Sequence, residues 1–213
     1  MKTNNSVIRK PAGFPYKFTV RMLFPLLILL VCAGCKNPWM QNILGPPLPY
    51  EIGDTGPGGG KIFYKSERGF TMTDNDETCY YLEAAPEDIG EQLMWASQNS
   101  SFVDTGTGIG TGRKNTTLIL NSLIGNTTAP AASACREYSN NEKTDWFLPS
   151  KDELFQLYAN RNSVGNLNGT EIYWSSSQFP NNIQFAWSQH FSDGTQNQSN
   201  KTTPCLVRAV RAF

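Results

Sequence analysis

Residues 147–158 read Phe-Leu-Pro-Ser-Lys-Asp-Glu-Leu-Phe-Gln-Leu-Tyr, and this stretch predicts the best-defined element of the chain. Ser150 can accept a hydrogen bond from the backbone amide of Glu153. The Glu153 carboxylate can reach back to the amide of Ser150, which completes a capping box. Asp152 and Glu153 lie in the first turn, where the helix dipole favours negative charge. Leu154, Leu157 and Tyr158 share one face and form a core stripe.

Upstream of this helix, Asp54-Thr-Gly-Pro-Gly-Gly-Gly60 is a turn cluster. Lys61–Lys65 and Cys79–Ala84 predict strands, separated by a polar loop over Thr71–Thr78. Gly106-Thr-Gly-Ile-Gly-Thr-Gly112 reads as a flexible loop. Asn115–Leu123 and Ala129–Tyr138 predict helices, the second with Pro130 in its first turn. Downstream, Ile172–Ser177, Gln184–Phe191 and Cys205–Phe213 predict three strands. Strands, then helices, then strands describe an α+β fold. No internal repeat and no heptad is present. Arg208 and Arg211 are three apart in the last strand, so they should point to opposite faces. One of them is then buried and paired with an acid, with Asp145 and Glu153 as the candidates.

At the N-terminus, the first 21 residues contain Lys2, Arg9, Lys10, Lys17 and Arg21 and no acidic residue. An apolar run from Met22 to Val31 follows, and then Cys32-Ala33-Gly34-Cys35. A basic leader, a short apolar core and small residues before a cut site describe a secretory signal. The run falls short of the roughly 20 residues that a spanning helix needs, and Pro25 interrupts it. The Ala-Gly-Cys ending resembles a bacterial lipobox, although Cys32 stands where that pattern usually has Leu. The resemblance implies a lipoprotein signal peptide over 1–34 and acyl chains on Cys35. It also implies a membrane-anchored, extracytoplasmic protein of the bacterial cell envelope. Residues 35–52, with Pro38, Pro46, Pro47 and Pro49, then form a tether, and 53–213 form one domain.

The full chain balances 18 basic against 18 acidic residues. Five of the basic residues sit in the leader, so the remainder is net acidic by about five charges. That excludes a nucleic-acid partner, which needs a basic face. Beyond Cys35 lie Cys79, Cys135 and Cys205. Three is odd, so at most one intramolecular bridge forms.

The glycine-rich segments invite a nucleotide-binding reading, which fails. The P-loop pattern needs Gly where Thr55 stands and Ser or Thr where Ile62 stands. Gly106–Gly112 places Gly at every second residue and lacks the dinucleotide spacing. His190 is the only histidine, and no Gly-x-Ser-x-Gly elbow surrounds Ser175, Ser176 and Ser177. The chain is therefore expected not to be an enzyme, and no cofactor is expected. Calcium is the one metal to consider. Its oxygen donors would be Asp193 with Asn181, Asn182, Asn197 and Asn200, or Asp74, Asp76 and Glu77.

Five ordered phrases carry a resemblance. They are Gly-Gly-Lys-Ile-Phe-Tyr (59–64), Tyr-Leu-Glu-Ala-Ala-Pro (81–86), Trp-Phe-Leu-Pro-Ser-Lys-Asp-Glu-Leu (146–154), Tyr-Trp-Ser-Ser-Ser (173–177) and Val-Arg-Ala-Val-Arg-Ala-Phe (207–213). Together they resemble the Lcl-type domain, the C-terminal domain of a collagen-like bacterial adhesin, from about Gly53 to Phe213. The resemblance implies a C-type-lectin-like fold: a small twisted, mostly antiparallel sheet, two flanking helices, long loops and paired termini. It implies a bridge between Cys135 and Cys205, which would close a loop of about 70 residues and stabilise by about 4 kcal/mol. Cys79 is then the spare thiol.

It further implies a non-catalytic domain that binds a glycan or an envelope or host protein. The animal-lectin calcium phrases Glu-Pro-Asn and Trp-Asn-Asp are absent. Trp174 and Trp187 lie on neighbouring strands beside Tyr173, Phe185 and Phe191, where aromatic rings serve mainly as core. Ligand contacts are expected in the polar loops at 178–183 and 192–204. Trp187, Gln189, Asp193 and Asn197 are the ligand-binding candidates. Two other readings stand beside this one. The first is a scaffold that binds only proteins. The second is an enzyme related to formylglycine-generating enzymes, which depend on paired reactive cysteines.

Overall fold

The structure, a computed structural model, describes residues 49–98, 102–122 and 126–213. The expected signal peptide over 1–34, Cys35 and the expected tether up to residue 48 lie outside the described residues. Packing is already established at Tyr50. Its ring meets Tyr81 at 5.4 Å and Phe213 at 5.8 Å between centroids, both edge-on.

Two three-stranded antiparallel sheets carry the domain. The first has the order β1-β2-β6, with β1 at Lys61–Thr71, β2 at Thr78–Ala84 and β6 at Val210–Ala212. The C-terminal strand joins the N-terminal hairpin through β2, with Leu82, Glu83 and Ala84 opposite Ala212, Arg211 and Val210. The second sheet has the order β3-β4-β5, with β3 at Ile172–Gln178, β4 at Phe185–His190 and β5 at Gln196–Asn200. The described helices are α1 (Gly112–Asn121), α2 (Pro130–Glu137), α3 (Lys151–Ala159) and α4 (Arg161–Val164). The class is α+β, as the order of elements predicts.

The capping box at the head of α3 is complete. The Glu153 amide donates to Ser150 Oγ, and the Ser150 amide donates to Glu153 Oε2 at 2.7 Å. Two elements were not legible in the sequence. The strand β5 has the sequence Gln-Asn-Gln-Ser-Asn, which lacks both β-branched residues and apolar alternation. Pairing with β4 along its whole length overrides that local preference. Helix α4 is a single turn. The regular part of the last strand is also shorter than Cys205–Phe213. Residues 205–209 instead run between the sheets. Leu206 bonds to Ile172 and Trp174 of β3, Val207 to Ile89, and Ala209 to Ala85.

Strand alternation divides the interior. Tyr173 packs with Phe63, Phe147, Leu154, Leu157 and Phe191. Its neighbour Trp174 packs with Trp95, Trp146, Ala132 and Ala186. Successive residues of a strand point to opposite faces, so the second sheet has an apolar cluster on each side. Each fully buried large side chain contributes about 1.5–3 kcal/mol.

Both arginines of the C-terminal segment are buried, where one was expected. Arg208 Nε lies 2.7 Å from Asp88 Oδ1, and its guanidinium also donates to the carbonyls of Ala85 and Asn166. Arg211 pairs with Asp145 at 2.8 Å and with Glu83 at 2.6 Å. Arg208 escapes the alternation rule because it precedes the regular strand. Glu153 takes no arginine. It is fully buried and accepts from the amides of Gly110 and Ser150.

The glycine clusters wrap around buried carboxylates. Glu83 accepts from the amides of Gly58 at 2.8 Å and Gly60 at 3.3 Å. A Cβ on Gly58 would sit 2.5 Å from Glu83 Oε1, so the approach requires glycine. Glu153 plays the same part for the Gly106–Gly112 loop.

The Cys135–Cys205 bridge that the resemblance implies is not formed. Cys79, Cys135 and Cys205 are all free and buried. Burial pushes the Cys205 thiol up to about 12 and Cys79 up to about 11, and it raises Cys135 further still.

Candidate functional site

The second sheet and the head of α3 meet at Trp187, which is half-buried on β4. The first residue of α3, Lys151, is held from two sides. Its amide donates to Ser177 Oγ on β3 at 3.0 Å, and its carbonyl accepts from Gln196 Nε2 on β5 at 2.8 Å. This places the Lys151 ammonium 4.7 Å from the centre of the Trp187 ring, a cation–π distance. Phe179 lies against the same indole, 5.1 Å between centroids and tilted by 59°. Gln198 stands directly opposite Trp187 in the β4–β5 ladder, so their side chains share a face. The result is an aromatic surface bordered by an ammonium and by the amides of Gln196 and Gln198. The exposed hairpin end 180–184 adjoins it, with Ile183 47% exposed.

The hairpin is anchored from below. Gln178 is buried, and its Oε1 accepts from the Val103 amide at 3.0 Å and from Lys201 Nζ at 2.6 Å. Lys201 is itself buried, with Nζ 4.2 Å from the Trp95 ring. Burial pulls its pKa down to about 8. These contacts tie the end of β3 to the end of β5 and hold the 179–184 turn outward.

The four ligand candidates are distributed unevenly. Trp187 is at the surface just described. Gln189 is not available to a ligand: it is fully buried, and its amide donates to the carbonyl of Gly194. Gln189 and Trp187 share a face, but that face turns toward the Tyr173–Phe191 core by the time it reaches residue 189. Asp193 is exposed, and Oδ1 accepts from the Thr195 amide at 2.8 Å. That bond holds its carboxyl below the usual carboxylate range. Asn197 is exposed but pairs with Ser188, so it lies on the opposite face from Trp187. Sequence reasoning missed Lys151; Phe179, Gln196 and Gln198 fall within the expected segments 178–183 and 192–204 but were not singled out. Alternation along 196–200 separates Gln196 and Gln198 from Asn197, but only the β4 register shows which set faces Trp187.

The other chemical readings meet defined geometry. His190 is opposite Ile172 at the start of β3. Ser175, Ser176 and Ser177 lie three to five residues further on, about 10–16 Å at the rise of a strand. Their hydroxyls are engaged with the carbonyl of Trp187, with Asn115 and with the carbonyl of Gly106. Asp74 and Glu77, candidate calcium donors, both bond Arg113, at 2.7 and 3.2 Å. Asn182 and Asn200 cap the turns that follow them. Among the described residues, no three His, Cys, Asp or Glu side chains converge to hold a metal ion. An open recess lined by Thr73, Asp104, Thr105, Thr111, Lys114 and Asn115 is polar. Thr73, Thr111 and Asn115 there already bond loop carbonyls. No helix among the described residues is long and apolar enough to cross a membrane.

Residues 85–211 match the family model described as the Lcl C-terminal domain. No curated protein matches the chain. A solved fimbrial protein from Bacteroides ovatus is similar at 14% identity with a TM-score of 0.49, over 74% of this chain and 45% of that one.

Proposed function

Because the chain belongs to the Lcl C-terminal domain family, we propose that it is an adhesin-like protein of the bacterial cell envelope. Its domain binds a glycan or a protein ligand, without catalysis and without a cofactor, and a lipid on Cys35 holds it to a membrane. The observation that supports ligand binding is the Trp187 surface. An aromatic ring half-open to solvent can stack on a sugar or an apolar side chain. The Gln196 and Gln198 amides and the Lys151 ammonium offer hydrogen bonds around it.

A glycan array probed with the protein tests this reading, with wild type compared against Trp187→Ala and Gln198→Ala, each with calcium and with chelator. Glycans retained by wild type and lost from both variants support it. Gln198 is exposed, so its variant separates ligand loss from misfolding. An array blank for wild type removes the glycan reading. A pull-down from envelope extract that also loses its partners in both variants would then establish a protein ligand. The anchor is tested separately: labelled palmitate should enter wild type and not Cys35→Ser.

A further inference from the structure

The outer edge of β5 has a property that the Trp187 surface does not use. His190 donates its amide to the Thr195 carbonyl at 2.9 Å, and Lys201 donates to the Gln184 carbonyl at 2.9 Å. These bonds flank the register that pairs Phe185 with Asn200 and Gln189 with Gln196. In an antiparallel pair, residues that exchange backbone bonds alternate with residues that do not. Asn197 and Ser199 therefore turn their backbone groups toward β4. Gln196, Gln198 and Asn200 turn theirs outward.

The other sheet edges have backbone partners over at least part of their length. Phe147 exchanges bonds with Val210 on β6, at 2.8 and 3.0 Å. Leu206 does so with β3. Asp54 and the Asn160 side chain bond β1 at Ile62 and Phe63. On β5, the Asn200 carbonyl accepts from Thr203. No described residue bonds the outward backbone groups of Gln196 or Gln198. Exposed edges are ordinarily blunted by Lys, by Pro, by bulges or by inward charges. None of these occurs in Gln-Asn-Gln-Ser-Asn, whose register with β4 is unbroken.

We propose that β5 pairs antiparallel with the β5 of a second copy of this chain, about a two-fold axis through Gln198. The two Gln198 residues then exchange both backbone bonds. Each outward Asn200 amide meets the second copy's Gln196 carbonyl. The side chains brought opposite are Gln196 with Asn200, Asn197 with Ser199, and Gln198 with itself. Every such pair is neutral and carries donors and acceptors on both sides. A chain that is net acidic beyond residue 35 thus meets its copy along a charge-free strip, and a self-complementary patch is what two-fold pairing requires. One strand edge buries less than the roughly 1,200 Å² of a standard stable interface. Association is therefore weak and depends on concentration.

The test uses the full chain with Gln198→Cys, oxidised under mild conditions and run without reductant. Opposed Cα atoms at about 5.5 Å suit a disulfide. Asn162→Cys, an exposed position on α4, is the control for random collision. The pairing gives a homodimer band from Gln198→Cys about ten times stronger than the control, because the axis raises the effective thiol concentration. Sedimentation of wild type should rise with concentration, and Gln198→Lys, which opposes two charges on the axis, should abolish the rise. Equal bands from the two cysteine variants overturn the proposal, as does a disulfide from the Gln198→Cys variant to a different polypeptide. So does a wild-type sedimentation coefficient that is independent of concentration.

Discussion

Glu83 and Arg211 face each other across the β2–β6 ladder, with Oε1 and Nη1 2.6 Å apart and both residues buried. The same carboxylate holds the amides of Gly58 and Gly60. One ion pair therefore fixes the last strand, the first hairpin and the turn before it. Removing one partner of a buried pair strands the other without water, which typically costs about 3–5 kcal/mol. Arg211→Met and Glu83→Gln should each lower stability by about that range in urea titration. A loss below about 1 kcal/mol in both would show that the pair does not hold the sheet.

Two glycines of one loop should answer differently to alanine. Gly110 has φ +87, and a Cβ there would lie 2.2 Å from the Thr71 carbonyl oxygen. Gly108 has nothing within 4 Å of the added atom. Gly110→Ala should destabilise by about 1–3 kcal/mol from overpacking and strain, and Gly108→Ala by less than about 0.5 kcal/mol. Thermal unfolding of the two variants side by side checks the contrast.

Burial pushes the Glu153 carboxyl up from 4.5 to about 7, against the three backbone amides that favour its charged form. The folded state therefore binds this proton more tightly than the unfolded chain does. Its stabilising contribution is full below pH 4.5 and is lost as the pH rises through 7. Glu153→Gln should flatten the fall in stability between those values. An unchanged slope in wild type and variant would mean that the group does not titrate there.

The three buried thiols should all be accounted for without reductant. Alkylation in denaturant, followed by peptide mapping, should label Cys79, Cys135 and Cys205 fully. Alkylation of the native protein should be slow at all three, since the thiols are neutral and covered. A disulfide-linked pair of peptides carrying Cys135 and Cys205 would restore the bridge implied by the family resemblance.

Local signals were readable where the physics is local. The capping box at Ser150 and Glu153 needs residues three apart, and it formed as its spacing predicts. Pro130 begins α2 for the same kind of reason. The pairing of Arg211 with Asp145 was also within reach, because a buried arginine must find an acid. The strand β5 was not readable: five polar residues carry no periodic apolar signal, and only pairing with β4 makes them a strand. Gln189 was misjudged for a related reason. A polar residue on a strand can point into the core when a turn carbonyl, here that of Gly194, takes up its amide.

The sequence by itself determined the capping box of α3, the α+β order and the acidic balance of the chain beyond residue 35. Tertiary structure alone decided that Trp187 shares a face with Gln196 and Gln198 rather than with Asn197, and that Lys151 comes over its ring. The reason is register. A one-residue slip of β5 against β4 would exchange the two faces, and nothing local to 196–200 sets that register. It is fixed by contacts far away in the chain, where Lys201 meets Gln178 and Gln196 meets Lys151.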